Sequence, residues 1–265
     1  RLVTTVFGEI YSQTELHRRH IDDVCRVIAH SQRLLSCSHH CAASFKELGI
    51  DPQVEVVHYG VDVRHFRPGS GGNVVRTRLG IGTDVPLVIY VARMVQEMGL
   101  HVLLAAIPEV IRSHPKAAFL IAGNRGELTA DAEAMAMRFP NRVFVMPDVP
   151  YPDLPAYYDA STLAVAPSIN ARACLGLAIA EAMATERAVI GSRVGGTAEV
   201  IVEGETGVLV TPGDAGALAT AIIALVDNEA ARAEMGRRGR ARALAHFDKE
   251  VTNQRMEQIF EEILA

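Results

Sequence analysis

A loop of small residues ends at Gly176, and the pattern after it predicts a helix with Glu181 about a turn and a half from its start. Because the first N–H groups of a helix lack partners within the helix, such a loop is suited to binding a phosphate. A carboxylate at Glu181 can accept two hydrogen bonds from the ribose of the same ligand. The pair predicts a site for a nucleotide diphosphate. The alternative is that Glu181 is a solvated carboxylate on the helix surface.

The composition predicts a globular protein with enough chain for one large domain or two moderate ones. The 265 residues are 49% hydrophobic and carry a net charge of −5, which disfavours nucleic acid as the main partner. No apolar run approaches the ~20 residues that span a bilayer. The first residues lack the apolar core of a signal peptide, so we expect a cytoplasmic protein. They include no initiator Met and resemble a strand entered midway, so we expect further sequence to precede them.

Three cysteines lie close to three histidines near the start of the chain. They are Cys25, Cys37 and Cys41, with His30, His39 and His40. The segment CSHHC lacks the paired C-x-x-C spacing of structural zinc sites. RLLSCS predicts a buried strand, and HHCAASFKEL predicts the helix after it. We therefore interpret the cysteines as buried structural residues and predict no metal ligand.

Nine apolar, β-branched segments alternate with segments of helical spacing. They are LVTTV, RLLSC, VEVVHY, PLVIYVA, AAFLIAG, RVFVM, TLAVAP, RAVIGS and TGVLVT. This alternation predicts an α/β fold whose parallel sheets are covered by helices on both faces. The last helices run from residue 215 to 265, and the break at HFDKE predicts a separate terminal helix.

The glycine-rich segment PGSGGN, residues 68–73, is the strongest linker signal in the chain. Three strands precede it, too few to close a doubly wound domain, and six follow it, enough for a complete Rossmann-like domain. The predicted organisation is an incomplete unit over residues 1–67, a linker, a complete domain over 74–247 and a terminal segment over 248–265.

Six segments, in order, resemble the family 4 (group 1) glycosyltransferases, which have the GT-B fold. Residues 167–200 are similar to the family signature E-x-F-G-L-x-x-x-E-A-M-A followed by P-V-I-x-S-x-x-G-G-x-x-E. VHYGVDVRHFRP is similar to x-x-N-G-V-D-x-x-x-F-x-P, and VARMVQEMGLHVLLAA to G-R-x-x-x-x-K-G-x-x-x-L-L-x-A. RLLSCSHHCAASFKELGI, LIAGN and GETGVLVTPGDAGALATAI match further family segments. The resemblance implies the end of an N-lobe, a whole C-lobe and a terminal helix that returns to the N-lobe.

The resemblance also implies a nucleotide-sugar site in the C-lobe. Arg93 falls where the family has an arginine on the donor diphosphate, an anion that suits the fork of donors on its side chain. The alternative is a surface arginine after a strand. Glu181 matches the ribose-binding glutamate. The backbone of the loop before it is implied to contact the phosphates, and the backbone of Val149 is implied to contact the base. The implied site residues are Arg93, Gly123, Val149, Leu175, Gly176, Leu177 and Glu181.

Leu175 replaces the usual phenylalanine, which matters less because the backbone does the binding there, and three further positions depart from the family pattern. Met98 stands where a lysine usually contacts the diphosphate, and Ala173 stands where a glutamate usually contacts the donor sugar. Phe7 stands where a histidine usually lies close to the reacting centre. Asn170 and Arg172 are candidates to replace the missing glutamate. No catalytic residue is assigned.

The resemblance implies transfer of a sugar from a nucleotide-diphosphate donor to an acceptor hydroxyl, with retention and without an obligatory metal or cofactor. The acceptor is a saccharide, a lipid or a small molecule, and a peripheral membrane contact through the preceding part of the N-lobe stays open. Removing one positioned transition-state group typically costs about 10²–10³ in rate. The three departures therefore support a second hypothesis, a non-catalytic homologue that binds nucleotide sugars or acts as a partner subunit.

Overall fold

The computed structural model describes residues 2–6, 21–47, 51–170 and 174–265. Phe7, Arg172 and Ala173, three of the candidate functional positions, lie outside these ranges. Within them, strands and helices alternate as predicted, and every strand pair is parallel. The α/β fold class with parallel sheets is confirmed.

The strands form two sheets, one with the order β1-β2-β3 and one with the order β6-β5-β4-β7-β8-β9. The first sheet contains β1 (Val3–Val6), β2 (Arg33–Ser36) and β3 (Glu55–Val56). The second contains β4 (Leu87–Val91), β5 (Ala118–Gly123), β6 (Val143–Pro147), β7 (Leu163–Ala166), β8 (Ala188–Ser192) and β9 (Val208–Val210). Six parallel strands after residue 74 match the number that the apolar segments predict.

Helices connect the strands across the described part of the chain. They are α1 (Ile21–His30), α2 (His39–Glu47), α3 (Gly72–Leu79), α4 (Leu100–Ser113), α5 (Thr129–Arg138), α6 (Leu154–Ala160), α7 (Leu177–Ala184), α8 (Thr197–Val200), α9 (Ala215–Asp227), α10 (Glu229–His246) and α11 (Lys249–Leu264). Short 3₁₀ helices occupy Gln96–Met98 and Tyr151–Asp153. In the described ranges, no helix combines the length and the apolar character needed to cross a membrane.

The six-stranded sheet separates two apolar cores. Val88 and Tyr90 of β4 enter one core, whereas Leu87 and Ile89 enter the other, because successive side chains of a strand point to opposite faces. Helices α4, α5 and α9 cover the first face, and α3, α6, α7 and α10 cover the second. Burial on both faces explains why these strands are apolar without interruption.

The glycine-rich segment is docked against this domain, and α3 begins at Gly72, within the predicted linker. The carboxylate of Asp159 accepts hydrogen bonds from the backbone N–H groups of Gly69, at 3.0 Å, and Gly72, at 2.8 Å. A Cβ at Gly72 would lie 2.5 Å from the backbone nitrogen of Ala160. Glycine at this position therefore permits close helix packing.

The predicted break at HFDKE lies between α10 and α11, and a second break at Asn228 separates α9 from α10. The Asn228 side chain accepts a hydrogen bond from the N–H of Ala231, and that of Asp248 accepts one from the N–H of Glu250. Both residues act as N-caps, which satisfy donors that a helix leaves unpaired. The capping chemistry explains why one long helix does not form here.

Helix α11 packs on the three-stranded sheet. Ile259 and Ile263 are buried in one cluster with Leu35 of β2, and Arg255 Nε donates to the Glu55 carboxylate of β3 at 2.7 Å. The last helix, α11, therefore lies against the three-stranded sheet, which is formed by the first part of the chain.

The two segments that connect the sheets run side by side. Val61 and Asp248 form a parallel bridge, in which the Val61 N–H donates to the Phe247 carbonyl at 2.7 Å and the Lys249 N–H donates to the Val61 carbonyl at 3.0 Å. A Cβ at Gly60 would lie 2.1 Å from the Cα of Lys249. Only glycine allows the two crossings to approach this closely.

We predict that Ile259→Ala lowers the free energy of unfolding by roughly 2–4 kcal/mol, because it removes buried methyl groups between α11 and β2. Phe260→Ala is the control. Phe260 follows Ile259 in the chain and its side chain is 47% exposed, and surface changes usually stay within about 0.5 kcal/mol. Urea unfolding followed by circular dichroism measures both variants. Equal losses would contradict the described packing of α11.

Candidate functional site

The predicted site residues lie beyond the carboxyl ends of neighbouring strands. Arg93 follows β4 by two residues, Gly123 ends β5 and Val149 follows β6 by two residues. Residues 174–177, here called the 174–177 loop, follow β7 and open α7. Because β6, β5, β4 and β7 are adjacent in the sheet, these four segments meet at one edge.

The order of the strands makes this edge a crevice. From β4 the chain builds β5 and β6 on one side, and then crosses to build β7, β8 and β9 on the other. The connections after β4 and β7 therefore leave in opposite directions, and ligands of open parallel sheets bind at such a point. Arg93 lies on one side of this crevice, and the 174–177 loop lies on the other.

The turn after β4 holds Arg93. Its carbonyl accepts a hydrogen bond from the Tyr90 hydroxyl at 3.0 Å, while its guanidinium is 56% exposed and lies 3.8 Å from the Glu97 carboxylate. Gly99 ends the turn, and a Cβ there would lie 1.7 Å from the Pro167 carbonyl oxygen. The turn thus packs directly on the segment that leads to the 174–177 loop. The exposure of the Arg93 guanidinium agrees with both interpretations of this residue, a diphosphate ligand and a surface arginine.

Met98 lies in the same turn, where its side chain is half-buried and packs against the first core. A thioether supplies no positive charge, so the guanidinium of Arg93 has no lysine beside it at this position. Asn170, the described candidate to replace the missing glutamate, is also half-buried.

The geometry gives Gly123 a structural role. Its φ is 127°, and a Cβ would lie 2.0 Å from the Ala92 carbonyl oxygen. Its own carbonyl accepts a hydrogen bond from the Asp148 N–H at 2.9 Å, next to Val149, which is half-buried against the second core. Gly123 therefore allows the connections after β4 and β6 to approach the end of β5.

The 174–177 loop rests on the glycine turn after β8. A Cβ at Gly196 would lie 1.8 Å from the Cys174 carbonyl oxygen. The Leu175 side chain is buried and the Leu177 side chain is exposed, while Gly176 takes a left-handed φ of 79° where α7 begins. Because the Leu175 side chain belongs to the core, only its backbone is available to a ligand.

Glu181 is the fifth residue of α7 and is only 8% exposed. Its Oε2 accepts a hydrogen bond from the Tyr158 hydroxyl at 3.0 Å. Burial raises the pKa of Glu181 from its ordinary value of 4.5 to about 7, against the opposing effect of the Tyr158 hydrogen bond. The interpretation as a solvated surface carboxylate is therefore wrong. A buried carboxyl group with a displaced pKa is typical of functional sites.

Two tyrosines that are not among the predicted site residues lie near this carboxylate. Tyr158 of α6 is fully buried, and Tyr151 is partly exposed at the start of the 3₁₀ helix before α6. Burial, together with the charges of Glu181 and Asp62, raises the pKa of Tyr151 to about 12. The ring of Phe66 contacts both tyrosines, with centroids 5.4 and 6.0 Å away. No local motif marks these residues, because their contacts arise only from the tertiary fold.

The family model for glycosyl transferases group 1 matches residues 74–242, more than half of the chain. The chain belongs to the group 1 glycosyltransferase family. The match begins where the predicted complete domain begins.

Named relatives resemble the chain over most of its length. D-inositol 3-phosphate glycosyltransferase 1 of Catenulispora acidiphila is 33% identical over 233 residues, which cover 83% of this chain and 54% of the relative. A GDP-mannose-dependent monoacylated α-(1-6)-phosphatidylinositol monomannoside mannosyltransferase of Corynebacterium glutamicum is 28% identical, with 80% and 57% covered. The chain spans about half the length of the curated relatives it matches.

Solved structures show the same fold. Sucrose-phosphate synthase from Thermosynechococcus elongatus superposes with a TM-score of 0.85 at 25% identity, over 99% of this chain and 67% of that one. The Anabaena protein Alr3699/HepE, solved with UDP and glucose, superposes with a TM-score of 0.86 at 21% identity, over 98% and 71%. The predicted GT-B type is confirmed.

We predict that Glu181→Gln stabilises the protein at pH 8 and has little effect at pH 5. Because the folded pKa of Glu181 lies above its ordinary value, the native state binds the proton more tightly, and stability decreases as pH rises from 4.5 to about 7. An amide keeps the hydrogen bond with Tyr158 and carries no charge. At about 1.4 kcal/mol per pKa unit, the gain at pH 8 is roughly 2–3 kcal/mol.

Urea unfolding of both proteins across this pH range measures the difference. A constant difference between pH 5 and pH 8 would show that burial does not raise the pKa of Glu181.

Proposed function

We propose that the protein transfers a sugar from a nucleotide-diphosphate donor to an acceptor hydroxyl. The observation that carries the proposal is the convergence of Arg93, the 174–177 loop and the buried carboxyl group of Glu181 at one switch point of a parallel sheet. Family membership supports the activity. The names of the relatives describe glycosyltransferases, one of them dependent on GDP-mannose.

Each element of the site has a proposed role in holding the donor. The guanidinium of Arg93 and the backbone N–H groups at the start of α7 neutralise the diphosphate, first in the bound donor and then in the leaving group. The ionised carboxylate of Glu181 accepts hydrogen bonds from the ribose hydroxyls, while Tyr158 holds it in position. The backbone at Val149 contacts the base. This set requires no metal ion on the diphosphate, and no further cofactor is proposed.

Retention at the anomeric carbon, the acceptor and a cytoplasmic location are also part of the proposal, supported by the family resemblance. The acceptor is a saccharide, a lipid or a small molecule with a free hydroxyl, bound from the side of the three-stranded unit. The relatives are named for inositol 3-phosphate and a phosphatidylinositol mannoside, so an acceptor panel starts with inositol phosphates and their glycosides.

One observation supports a second candidate function. Met98 leaves the proposed diphosphate site without the lysine that the family pattern has beside the arginine. A lost cation weakens charge neutralisation in the leaving group more than it weakens binding of the whole donor. A non-catalytic subunit that binds nucleotide sugars is therefore the alternative.

We predict that Glu181→Ala weakens binding of UDP-glucose or GDP-mannose by roughly 1.5–3 kcal/mol, the range for a hydrogen bond to a charged group. Titration calorimetry measures this as a loss of about 10- to 150-fold in affinity. Glu205→Ala, which removes an exposed carboxylate of the same domain, is the control. Unchanged affinity of Glu181→Ala would remove Glu181 from the ribose site.

Transfer assays of the full-length protein with a panel of nucleotide sugars distinguish the two functions. We predict that the wild type transfers at least one donor, and that Met98→Lys strengthens donor binding because it returns a cation to the diphosphate. Met98→Leu is the matched control, since it keeps the apolar packing and adds no charge. The variant Ala173→Glu, combined with Met98→Lys, restores the remaining C-lobe position.

A wild type that binds donors without transfer, and binds them more tightly after the double change, would support the non-catalytic subunit. A wild type that neither binds nor hydrolyses any nucleotide sugar would defeat the transferase proposal.

A further inference from the structure

A group of three thiols, here called the thiol cluster, joins the two parts of the chain beside the proposed donor loop. Cys37 follows β2, Cys41 lies in the first turn of α2, and Cys174 begins the 174–177 loop. The three Sγ atoms all lie within 4.8 Å of one another, and those of Cys37 and Cys41 are 3.9 Å apart. Cys37 and Cys41 are fully buried.

The spacing of CSHHC could not reveal this cluster, because its third member comes from a distant part of the sequence. Cys41 and Cys174 are 133 positions apart, yet the Cys41 Sγ lies 3.9 Å from the Cys174 carbonyl oxygen. The prediction of buried cysteines is confirmed for Cys37 and Cys41, whereas Cys25 is only partly buried. The interpretation of these cysteines as purely structural uses the local sequence pattern alone.

The 3.9 Å separation of the Cys37 and Cys41 Sγ atoms matches that in a metal–thiolate centre, and the Cys174 Sγ lies within 4.8 Å of both. Two thiolates that are each about 2.3 Å from a zinc ion, at a tetrahedral angle, are roughly 3.8 Å apart. Thiolate ligands select zinc and softer cations over magnesium or calcium. We propose that Cys37, Cys41 and Cys174 bind a zinc ion, with water in the fourth position.

The surroundings favour a metal over a disulfide. Three mutually close thiols can all bind one metal, whereas any disulfide would leave one of them unpaired. Binding of the ion to thiolates releases the thiol protons, so metal uptake is accompanied by proton release.

The start of α2 also suits a negatively charged centre. Cys41 lies in the first helical turn, where the helix dipole stabilises negative charge. Its N–H already donates to the Ser38 hydroxyl at 3.0 Å, which fixes the backbone that carries the thiol. Binding at the cluster would tie α2 to the 174–177 loop, whose other side rests on Gly196. The site itself does not depend on the transferase proposal, since metal binding is measured without nucleotide.

Cobalt(II) serves as the probe for this site, because cobalt–thiolate bonds give an intense charge-transfer absorption that imidazole and carboxylate ligands do not give. We expect the reduced full-length protein to bind one Co²⁺ with this absorption and to release it to Zn²⁺. Loss of even an outer-shell partner costs about 10–100-fold in metal affinity. Cys174→Ser, which removes a direct ligand, should therefore lose at least roughly tenfold by calorimetry.

Cys25→Ser is the matched control, because Cys25 lies on α1 outside the thiol cluster and should leave the affinity unchanged. Circular dichroism verifies the fold of each variant. If Cys174→Ser does not fold, the wild-type cobalt spectrum alone decides, and its lack of thiolate absorption overturns the proposal.

Two further results would overturn the proposal. His39, His58 and Glu199 form a second group whose ligand atoms lie within 4.8 Å of one another. Metal binding that His39→Ala abolishes and Cys174→Ser retains would place the ion in that group. Peptide mass spectrometry that finds a disulfide between Cys174 and Cys37 or Cys41, with no metal uptake after its reduction, would make the cluster a redox pair.

Discussion

The site depends on one topological constraint, the reversal of strand order at β4. Because successive connections leave in opposite directions after β4 and β7, a crevice forms at the sheet edge between them. Arg93 and the 174–177 loop follow these two strands, so their positions result from the order of the strands. A sheet with the same strands in another order would separate them. The location of the candidate site is therefore determined by the order of the strands and not by any single side chain.

Close backbone packing then sets the shape of this edge. Glycines at 99, 123 and 196 each leave room for a carbonyl oxygen that a Cβ would approach within about 2 Å, those of Pro167, Ala92 and Cys174 respectively. These contacts hold the turn after β4, the end of β5 and the 174–177 loop against neighbouring segments. A ligand at this edge would meet backbone groups as much as side chains. At Leu175 such a ligand would meet only the backbone, because the side chain lies in the core.

The elements were predictable from sequence because each depends on local pattern. Nine apolar segments predicted nine described strands, and the break before α11 was visible in HFDKE. The start of α3 was not predictable, because Gly72 is held by Asp159, 87 positions away. The same limit applies to the site. Arg93 and Glu181 were found through motifs, whereas Tyr158 and Cys174 gain their importance from partners distant in sequence.

Burial of Glu181 shows how the fold and the proposed site are connected. Desolvation disfavours the ionised carboxylate, and the Tyr158 hydroxyl offsets only part of this effect. In the proposed complex, ribose hydroxyls would supply further hydrogen bonds to the carboxylate and so would offset this desolvation cost.

The interface between the three-stranded sheet unit and the six-stranded domain also depends on contacts between residues distant in sequence. Glu199 of α8 accepts hydrogen bonds from the N–H groups of His39, at 2.9 Å, and His40, at 2.6 Å, which caps α2 from across the interface. Cys41 lies next in the same turn, against the 174–177 loop. Movement of α2 away from the six-stranded domain would break the cap and separate the thiols together. The cap, the thiol cluster and the contact with the 174–177 loop therefore all depend on the position of α2.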